Sequence, residues 1–523
     1  MKRCPACQQT YTDKTLKFCR DDGTLLVSDS SESDESVGTL NLPASRQSAE
    51  VSTRRLHHTP SIAVLPFVNM SADPENEYFC DGIAEELLNA LAKIEELKVA
   101  ARTSAFSFKG KDVNVREIGQ ALNVSTVLEG GVRKSVNRLR ITVQLVNVSD
   151  GYHLWSERYD CEMKDVFDIQ DEITLAIVEA LKVKLLGTEK AAVLKRYTDN
   201  AEAYELHLKG RYHFNKHTVE GWNRAVEYFK RAIEKDPEHA LAFAGLAQCL
   251  AFAWYYGALP PDQIVPQWKE ATSRALEIDS ELAEAHLSLA IIQFIYEWNW
   301  EEAEREYRRA LELSPNNADA HHHYGLLLAN TGRFEQAIGE GRRALELDPL
   351  SLLVNLQVGW VYWYAHRVDE ALGQARKIIE IEPGFQSAYW LMGAIYLSKG
   401  MYEESVEAYQ KSFALGNSNP IVLAIQGIAY GIMGNRDQAL RVLNQLLETR
   451  ERQHLSAFNI ARVYSGLGED DQAFAWLEKA LEERNGELVF LKAETEIGTG
   501  DLWGRSFRKD PRLPDLLRRM GLA

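Results

Sequence analysis

Small and aromatic residues recur along the second half of the chain with a fixed step of 34 residues. Pro315, Pro349 and Pro383 mark this step, which continues through Asn417, Glu451 and Asn485. Ten residues after a mark stands a small residue, and in most repeats a tyrosine follows three residues later. Residues three apart share one face of a helix, where a small side chain permits close packing of a second helix. The pattern therefore predicts a series of paired helices joined by turns.

The register and the turns agree with each other in every repeat. The small residues of the first helices are Gly325, Gly359, Gly393, Gly427 and Ala461. A period of this length resembles the tetratricopeptide repeat, a unit that must stack on its neighbours to bury its apolar face. We expect about eight repeats over residues 201–486, the second of them interrupted between positions 257 and 267. Residues 487–523 are expected to cap the last repeat.

A different pattern precedes the repeats, over residues 60–186. Short apolar runs at 62–67, 98–102 and 126–133 alternate with amphipathic stretches at 79–94 and 115–122. The order β-α-β-α-β predicts a partly parallel sheet with right-handed crossovers. Two further strands are expected at 139–148 and 152–159, and Asp150-Gly151 between them is a strong hairpin signal. A helix is expected from Val166 to Leu186.

Several segments of this region resemble the TolB-like amino-terminal domain. They are the stretches 61–67, 69–71, 78–87, 128–133 and 154–160. The resemblance implies an α/β domain that commonly precedes tetratricopeptide repeats in bacterial signalling proteins. In such proteins a DNA-binding domain, a nucleotide cyclase or a kinase often stands ahead of it. Here that place holds a short cysteine-containing segment and a linker, so no such output is carried over to this chain.

The α/β region lacks the usual signs of an enzyme. The turn after its first strand contains no glycine that would let backbone amides approach a phosphate. Asp81, Glu85 and Glu86 could be imagined as acid–base partners. We instead expect Asp81 to stabilise the dipole of its helix and the two glutamates to be solvated. The sequence therefore predicts a protein that is not an enzyme.

The first 27 residues have the spacing of a zinc ribbon. Cys4 and Cys7 form one pair of ligands, and Cys19 with Asp22 stands where the second pair would lie. Three thiolates and one carboxylate can complete a tetrahedral zinc shell, and so short a segment needs a metal to fold. The alternative is a decayed knuckle without metal. Residues 28–58, acidic and rich in serine, are expected to form a disordered linker.

The predicted fold class is therefore multidomain. A zinc-ribbon-like knuckle is followed by an α/β TolB-like domain and an all-α tetratricopeptide solenoid. The chain has 523 residues, 45% of them hydrophobic and 26% charged, with a net charge of −17. The negative charge argues against extensive nucleic-acid binding. No stretch is long and apolar enough to cross a bilayer, so we expect a cytoplasmic protein. Zinc is the one cofactor that we expect.

The predicted binding surface is an apolar, aromatic strip on the concave side of the solenoid. Counted from the glycine register, it comprises His322, Leu326, Leu356, Trp360, Trp363, Tyr364, Trp390, Leu397, Ile428 and Phe458. Aromatic anchors dominate the energetics of interfaces, so we expect an apolar or amphipathic peptide as the ligand. For each of these residues, a place in the core of the solenoid is an open alternative.

Two functions remain open from the sequence. The first is a non-enzymatic scaffold or adaptor that binds a protein or peptide and assembles a bacterial signalling or envelope-related complex. The second is a regulator whose amino-terminal knuckle contacts nucleic acid or whose TolB-like domain senses a small ligand. Self-association is left open in both.

Overall fold

In this computed structural model the chain forms two units, Met1–His57 and His58–Ala523. The described residues are 2–3, 10–11, 27–28, 59–135, 138–185, 187–255, 261–415, 420–452, 455–496, 503–504 and 506–522. In the first unit, strand β1 (Lys2–Arg3) pairs antiparallel with β2 (Thr10–Tyr11) and with β3 (Val27–Ser28). The predicted zinc ligands Cys4, Cys7, Cys19 and Asp22 lie outside the described residues, as does the predicted linker beyond Ser28. Zinc binding therefore stays a prediction.

The second unit begins with a mixed sheet. Its strands are β4 (Ser61–Val64), β5 (Val68–Asn69), β6 (Lys98–Val99), β7 (Thr126–Ser135), β8 (Arg138–Asn147) and β9 (His153–Glu162). The order is β6-β4-β7-β8-β9, and β5 also pairs with β7. Strands β4, β5, β6 and β7 pair in parallel, whereas β7, β8 and β9 pair antiparallel. The crossovers expected from the β-α-β-α-β order thus lead to the parallel half of the sheet.

Five helices accompany this sheet. They are α1 (Glu77–Ala92), α2 (Arg102–Phe106), α3 (Val115–Leu122), α4 (Val166–Ala180) and α5 (Gly187–Val193). Ile62, Phe79, Ile141 and Ile173 form the fully buried centre of the region, so α1 and α4 pack on the sheet. The helix expected from 166 to 186 ends early at Ala180, because Lys182 adopts a left-handed φ of 56°.

The hairpin between β8 and β9 follows the predicted Asp-Gly signal. Gly151 has a φ of 78°, which a residue with a side chain rarely adopts. The Asp150 carboxylate accepts a hydrogen bond from the Tyr152 backbone N–H at 2.9 Å. The turn and the pairing of the two ten-residue strands therefore agree with each other.

From residue 201 onward the structure consists of paired helices. The first helices of the pairs are α6 (Ala201–Phe214), α8 (Ala240–Tyr255), α10 (Ala283–Ile292), α12 (Ala318–Asn330), α14 (Leu352–Tyr364), α16 (Gln386–Ser398), α18 (Pro420–Ile432) and α20 (Ala457–Gly466). The second helices are α7 (Val219–Lys235), α9 (Pro261–Ile278), α11 (Trp300–Leu313), α13 (Phe334–Leu347), α15 (Val368–Ile381), α17 (Tyr402–Leu415), α19 (Arg436–Arg452) and α21 (Asp470–Glu482). The described residues thus contain eight pairs, and helices stack on their neighbours as a solenoid requires.

The glycines of the repeat register lie where helices approach closely. A Cβ on Gly393 would stand 2.4 Å from the ring of Tyr409 in the second helix of the same pair. A Cβ on Gly359 would stand 2.5 Å from Leu391 of the next pair. The sequence pattern therefore has its expected physical cause, since any larger side chain would force the helices apart.

The second repeat differs from its prediction. Positions 257–267 were expected to interrupt it, but α9 begins at Pro261 and runs through Pro266. Proline is tolerated at the first helical position, where Pro261 stands, whereas Pro266 lies inside the helix and cannot donate to the Asp262 carbonyl. The expectation of an interruption was therefore wrong for the described residues 261–267.

The residues after α21 contact the third helix pair. They contain the 3₁₀ turns Gly486–Phe490 and Phe507–Lys509 and the helices α22 (Leu491–Glu496) and α23 (Arg512–Arg519). The Trp300 indole N–H donates to the Met520 carbonyl at 2.7 Å. The Arg484 guanidinium donates to the Tyr296 carbonyl at 3.3 Å. These contacts tie the last repeat and the tail to α11 and the turn before it.

Within the part of the chain that the structure describes, no helix has the length and apolar character that a membrane span requires.

Candidate functional site

The α/β region packs on the first repeat of the solenoid. Tyr204 and Leu208 of α6 lie in the same buried cluster as Phe79 and Ile83 of α1. Gly82 permits this approach, because a Cβ at that position would stand 2.8 Å from the Leu208 side chain. The two regions therefore share one hydrophobic core at this point.

A second contact lies at the turn before α12. Asn316 is buried, and its side-chain amide points at the carboxyl-terminal end of α1. Its Nδ2 donates to the carbonyl oxygens of Leu97 at 2.8 Å, Ile94 at 3.0 Å and Ala92 at 3.3 Å. Its Oδ1 accepts from the Arg343 guanidinium at 3.1 Å. The Asn316 side chain thus adds donors at a helix end whose carbonyls are otherwise weakly bonded, since the Ile94 carbonyl accepts from the Leu97 N–H and the Ala92 carbonyl from the Asn316 N–H, both at 3.4 Å.

The third contact lies at the turn before α14. The Ala101 N–H donates to the Leu347 carbonyl at 2.7 Å. The Ser104 N–H and hydroxyl both donate to the Asp348 carboxylate, and the Leu350 N–H donates to the Ser104 hydroxyl at 2.8 Å. Burial raises the pKa of Asp348 to about 6 despite these hydrogen bonds. The hydrogen bonds from Ser104 therefore hold ionised Asp348 in place, but they do not fully replace the hydration that the carboxylate loses on burial.

These three contacts place the α/β region across the inner side of the solenoid. A cavity of about 1400 Å³ lies between them. Its wall is formed by α1, α4 and the segment after β6 on one side and by the first helices α6, α8, α10, α12, α14, α16, α18 and α20 on the other. The concave surface predicted as an open groove is therefore part of a cavity shared with the α/β region.

An aromatic wall forms one side of this cavity. We use this name for Trp360, Tyr364 and Trp390. The centroid of the Trp360 ring lies 6.2 Å from that of Tyr364 and 5.2 Å from that of Trp390. Leu353, Leu356, Trp360 and Tyr364 follow one another on α14 at spacings of three and four residues and so share one face. Leu353 is 37% exposed into this space. Trp360 and Tyr364 keep only 9% and 4% of their surface exposed, so the apolar surface that the protein leaves uncovered here is mainly that of Leu353 and Trp390.

The ten residues predicted to bind a partner fall into two groups. Six line the cavity: His322, Leu326, Leu356, Trp360, Tyr364 and Trp390. The other four are buried and do not line it: Trp363, Leu397, Ile428 and Phe458. These four residues therefore do not lie on the concave strip where they were expected. Partner binding by any of the ten residues stays a prediction.

The four buried residues have structural neighbours that explain their position. The Trp363 indole N–H donates to the Ser398 hydroxyl at 3.3 Å, across the contact between α14 and α16. Phe458 packs against Trp503 at a centroid distance of 5.5 Å and under the Arg462 guanidinium at 4.4 Å. These side chains are held by contacts between neighbouring helix pairs and with the tail. Such contacts cannot be predicted from the helical register of a single repeat.

The opposite end of the cavity is charged. Glu85 is buried, and its carboxylate accepts from the side chains of Arg102 at 2.8 Å, Arg211 at 2.8 Å and Asn215 at 3.1 Å. Burial would raise the pKa of Glu85, but the two guanidinium groups hold it below its usual value. The expectation that Glu85 is solvated was therefore wrong. Asp81 is also buried, and Lys109 contacts both of its oxygens at 2.6 Å.

Glu86 lines the cavity beside this network. The Nε2 atom of His207 lies 4.0 Å from its Oε1 atom, and burial lowers the pKa of this histidine so that its ring is neutral at neutral pH. Burial, with the charge of Glu85 as the next cause, raises the pKa of Glu86 to about 7. Glu86 keeps 24% of its side-chain surface exposed and faces the cavity partly protonated at neutral pH, so the expectation of a solvated side chain holds only in part.

The three adjacent histidines do not form a metal site. His321 contacts the Glu340 carboxylate at 2.6 Å and the Pro315 carbonyl at 3.1 Å. His322 is buried in the cavity wall, and neither ring nitrogen has a hydrogen-bond partner among the described residues. Burial lowers the pKa of His322 to about 4, so the ring is neutral at neutral pH. Within the described residues no group of three or more potential ligands lies close enough to hold a metal ion.

A buried ion pair closes the cavity near the tail. The Arg462 guanidinium contacts both oxygens of Glu494, and the Trp503 indole N–H donates to the same carboxylate at 2.9 Å. Asn459 Nδ2 donates to Glu487 at 3.1 Å. The side chains of Arg462, Glu494, Asn459 and Glu487 are thus occupied with one another and with Trp503.

Sequence reasoning missed the residues that join the two regions. Asn316 and Asp348 stand beside the repeat prolines, where a polar turn residue is ordinary. Arg211 and its partner Glu85 lie 126 positions apart. The one usable signal was the placement of an arginine among apolar residues of α6, which indicates a buried partner of opposite charge.

Matches to known families fit this architecture. Residues 219–253, 297–351 and 426–487 match the tetratricopeptide repeat family, and residues 386–415 match a second description of the same repeat. The helical region is therefore a tetratricopeptide repeat solenoid. Residues 58–176 match a family described as the second domain of HilA/YgeH-like transcriptional regulators. The TolB-like resemblance of residues 60–186 stays a prediction.

Two curated relatives show how far the similarity extends. The chain is 39% identical over 234 residues to the putative adenylate cyclase 3 of Rhizobium meliloti (strain 1021), which covers 44% of this chain and 40% of that protein. It is 21% identical over 280 residues to the transcriptional regulator HilA of Salmonella typhimurium, which covers 53% of this chain and 49% of the regulator. The chain thus spans half or less of the length of each.

Solved structures are similar to part of this chain. One is YrrB, described as a tetratricopeptide protein with an unusual peptide-binding site, at 24% identity and a TM-score of 0.28 over 38% of this chain and 97% of that chain. Another is Pseudomonas aeruginosa PilF, at 24% identity and a TM-score of 0.32 over 40% and 91%. Neither likeness carries an argument about function.

Proposed function

We propose that this protein is a non-enzymatic scaffold or adaptor that binds a protein segment in the cavity between the α/β region and the solenoid. The tetratricopeptide fold supports a protein-binding role in general. The observation that supports the proposal is the apolar surface of Leu353, 37% exposed, and Trp390 beside the aromatic wall, because uncovered apolar surface inside a concave site is where partners bind.

The size of the cavity favours a peptide over a metabolite. Sites for small molecules usually occupy about 300–1,000 Å³, and this cavity has about 1400 Å³. Its wall also changes character from aromatic to charged, which suits a chain with several different side chains. A peptide of several residues in extended or helical form would cover more of this wall than a single cofactor.

A regulatory role is the second candidate. The family matched by residues 58–176 takes its description from transcriptional regulators, and one relative is described as a putative adenylate cyclase. Both descriptions are of proteins with a signalling output. In this alternative the α/β region senses a small ligand, or the amino-terminal segment contacts nucleic acid. A nucleotide that raises the unfolding temperature of the full chain would favour it over the scaffold.

The scaffold proposal is tested with defined peptides. A random peptide library is selected on the immobilised full chain, and affinities of the selected peptides are measured by fluorescence anisotropy. Leu353→Asp places a charge in the aromatic side of the cavity, and we expect affinity to fall at least tenfold. Leu154→Asp is the matched control, because Leu154 is 47% exposed on β9 and does not line the cavity.

Circular dichroism checks that both variants keep their helical content. Unchanged affinity in Leu353→Asp, or an equal loss in Leu154→Asp, would refute the cavity as the binding site.

A further inference from the structure

Two carboxylates face the charged end of the cavity without a basic partner. Glu86 projects from α1 and Glu284 from the first turn of α10, and both line the cavity. Among the described residues neither carboxylate accepts a hydrogen bond, and the one titratable group within 4.0 Å of either is His207, beside Glu86. Glu284 contributes to raising the pKa of Glu86, so the two charges act on each other.

The basic groups around this pair are already engaged. Lys93 Nζ donates to the Ala192 carbonyl at 3.0 Å and to the Tyr197 hydroxyl at 3.1 Å. Lys195 pairs with Asp279 at 2.6 Å. The Arg211 guanidinium is held by Glu85, as described above. Lys93 is near enough to feel both glutamates, yet burial keeps its pKa below the usual value.

The histidines at this end do not compensate the negative charge. His207 and His239 line the cavity and are buried, with a centroid distance of 5.1 Å between their rings. Burial lowers the pKa of both, that of His239 to about 4, so both rings are neutral at neutral pH. The Nδ1 atom of each ring has no hydrogen-bond partner among the described residues. The site therefore contains two buried ring nitrogens without a partner, which is costly in an empty cavity, next to two unpaired carboxylates that are accessible, Glu86 at 24% exposure and Glu284 exposed.

Apolar surface begins directly beside the carboxylates. Leu287 and Ile291 follow Glu284 on the same face of α10, at spacings of three and seven residues, and both line the cavity. Leu241 of α8 lies on this wall as well. A ligand that satisfies the carboxylates would thus bring its neighbouring groups onto leucine and isoleucine side chains.

We propose that the occupant of this cavity is a cationic amphiphile, whose ammonium or guanidinium group binds between Glu86 and Glu284 and whose apolar part lies along Leu287 and Ile291. The inference rests on the proposed function and adds the charge of the ligand to it. A lysine or arginine side chain between apolar residues of a partner peptide has this chemistry, and so has a free long-chain amine. We favour the peptide, because the aromatic wall extends the apolar surface beyond the reach of one alkyl chain.

Protonation of Glu86 gives the proposal a distinctive signature. A cation binds the ionised carboxylate, so affinity should rise with pH as Glu86 loses its proton. With a pKa of about 7, the ionised fraction grows about tenfold between pH 6 and pH 8, and the affinity should grow by the same factor. The other groups facing Glu86 are the neutral histidines, Lys93, Tyr197, Tyr204 and the Glu85–Arg211 pair.

The experiment uses the full chain and probes that differ only in charge. Capped eight-residue peptides of leucine and alanine carry one central lysine, glutamine or glutamate, and octylamine, octanol and octanoate form a second series. Affinities are measured by isothermal titration calorimetry at pH 6 and pH 8. We expect the lysine peptide to bind at least tenfold more tightly than the glutamine peptide at pH 8, with a smaller preference at pH 6.

Variants assign the preference to the two carboxylates. Glu86→Gln and Glu284→Gln should each remove most of the preference for lysine, and Glu86→Gln should also remove its pH dependence. Glu281→Gln is the matched control, because Glu281 is exposed, lies three residues before Glu284 and does not line the cavity. A preference that survives Glu86→Gln and Glu284→Gln would overturn the assignment.

The remaining outcomes separate this inference from the proposed function. Tight binding of octylamine with weak binding of every peptide would overturn the peptide as the source of the cation and retain the cationic site. Equal or tighter binding of the neutral and acidic probes, or no binding of any probe, would overturn the cationic site itself. The proposed function would still be decided by the selected peptides and by Leu353→Asp.

Discussion

Replacing Asn316 with aspartate should break the second contact between the α/β region and the solenoid. The substitution keeps the shape of the side chain but exchanges a donor for a charged acceptor. In the native protein Nδ2 faces the carbonyl oxygens of Ala92, Ile94 and Leu97 at 2.8–3.3 Å. In Asn316→Asp a carboxylate oxygen would face the same three acceptors in a buried place.

The magnitude follows from the number of hydrogen bonds. An amide nitrogen has two hydrogens, so at most two of the three bonds are well formed at once. At about 0.5–1.5 kcal/mol for each bond, Asn316→Ala should cost about 1–3 kcal/mol. Asn316→Asp should cost more, about 3–4 kcal/mol, because a buried charge without a donor is added and Arg343 compensates only one side of it.

Urea unfolding of the full chain, followed by circular dichroism, measures the change. Hydrogen exchange of residues 92–97 locates it. The effect of Asn316→Asp should shrink at low pH, where the protonated carboxyl group regains a donor.

Asn317→Asp is the control in the next position. Asn317 caps α12 by accepting from the Ala320 N–H at 3.0 Å, and aspartate is an equally good N-cap. We expect this variant to stay within about 0.5 kcal/mol of the native protein. The reasoning fails if Asn316→Asp is as stable as the native chain, or if Asn317→Asp is destabilised to the same extent.

Two further predictions concern the repeats and the third contact. Gly393→Ala should destabilise the protein by about 1–3 kcal/mol, because the added methyl group overpacks against Tyr409. Gly339→Ala, with open space at its Cβ, should stabilise it by about 0.5–1 kcal/mol. Chemical unfolding that ranks the two variants in the opposite order would contradict this prediction. The pKa of Asp348 is raised from 3.8 to about 6 in the folded chain, so the folded state binds this proton more tightly and its stability falls as pH rises from about 4 to about 6. Asp348→Asn should remove up to about 3 kcal/mol of this pH dependence, and unfolding curves at pH 4.5 and 7.5 that show the same pH dependence in both proteins would refute the assignment.

Much of the fold could be predicted from the sequence because each repeat is a local structure. The glycine at position 393 and the aromatic residue that packs on it lie sixteen positions apart, within one helix pair. The Asp150-Gly151 turn likewise depends on neighbouring residues alone. Patterns of this kind follow from helix and turn geometry, which the sequence contains in full.

The candidate site was harder to predict because its parts are distant in sequence. The register within one repeat placed Trp360 and Trp363 together on the concave side. The structure separates them, since Trp363 packs on Ser398 of the next pair and Trp360 lines the cavity. The cavity depends on the contact between the α/β region and the solenoid, to which Asn316, Asp348 and the core shared by α1 and α6 contribute. No periodic pattern marks such contacts.

Amide hydrogen exchange at the third contact tests the central claim most directly, namely that the α/β region is docked across the inner side of the solenoid. The Ala101 and Leu350 amides each donate to an acceptor on the other side of this contact, at 2.7 Å and 2.8 Å. In the intact chain at neutral pH we predict that both amides exchange far more slowly than the free peptide. Exchange of both amides at the rate of an unstructured chain, with the helices of the solenoid still protected, would contradict the account.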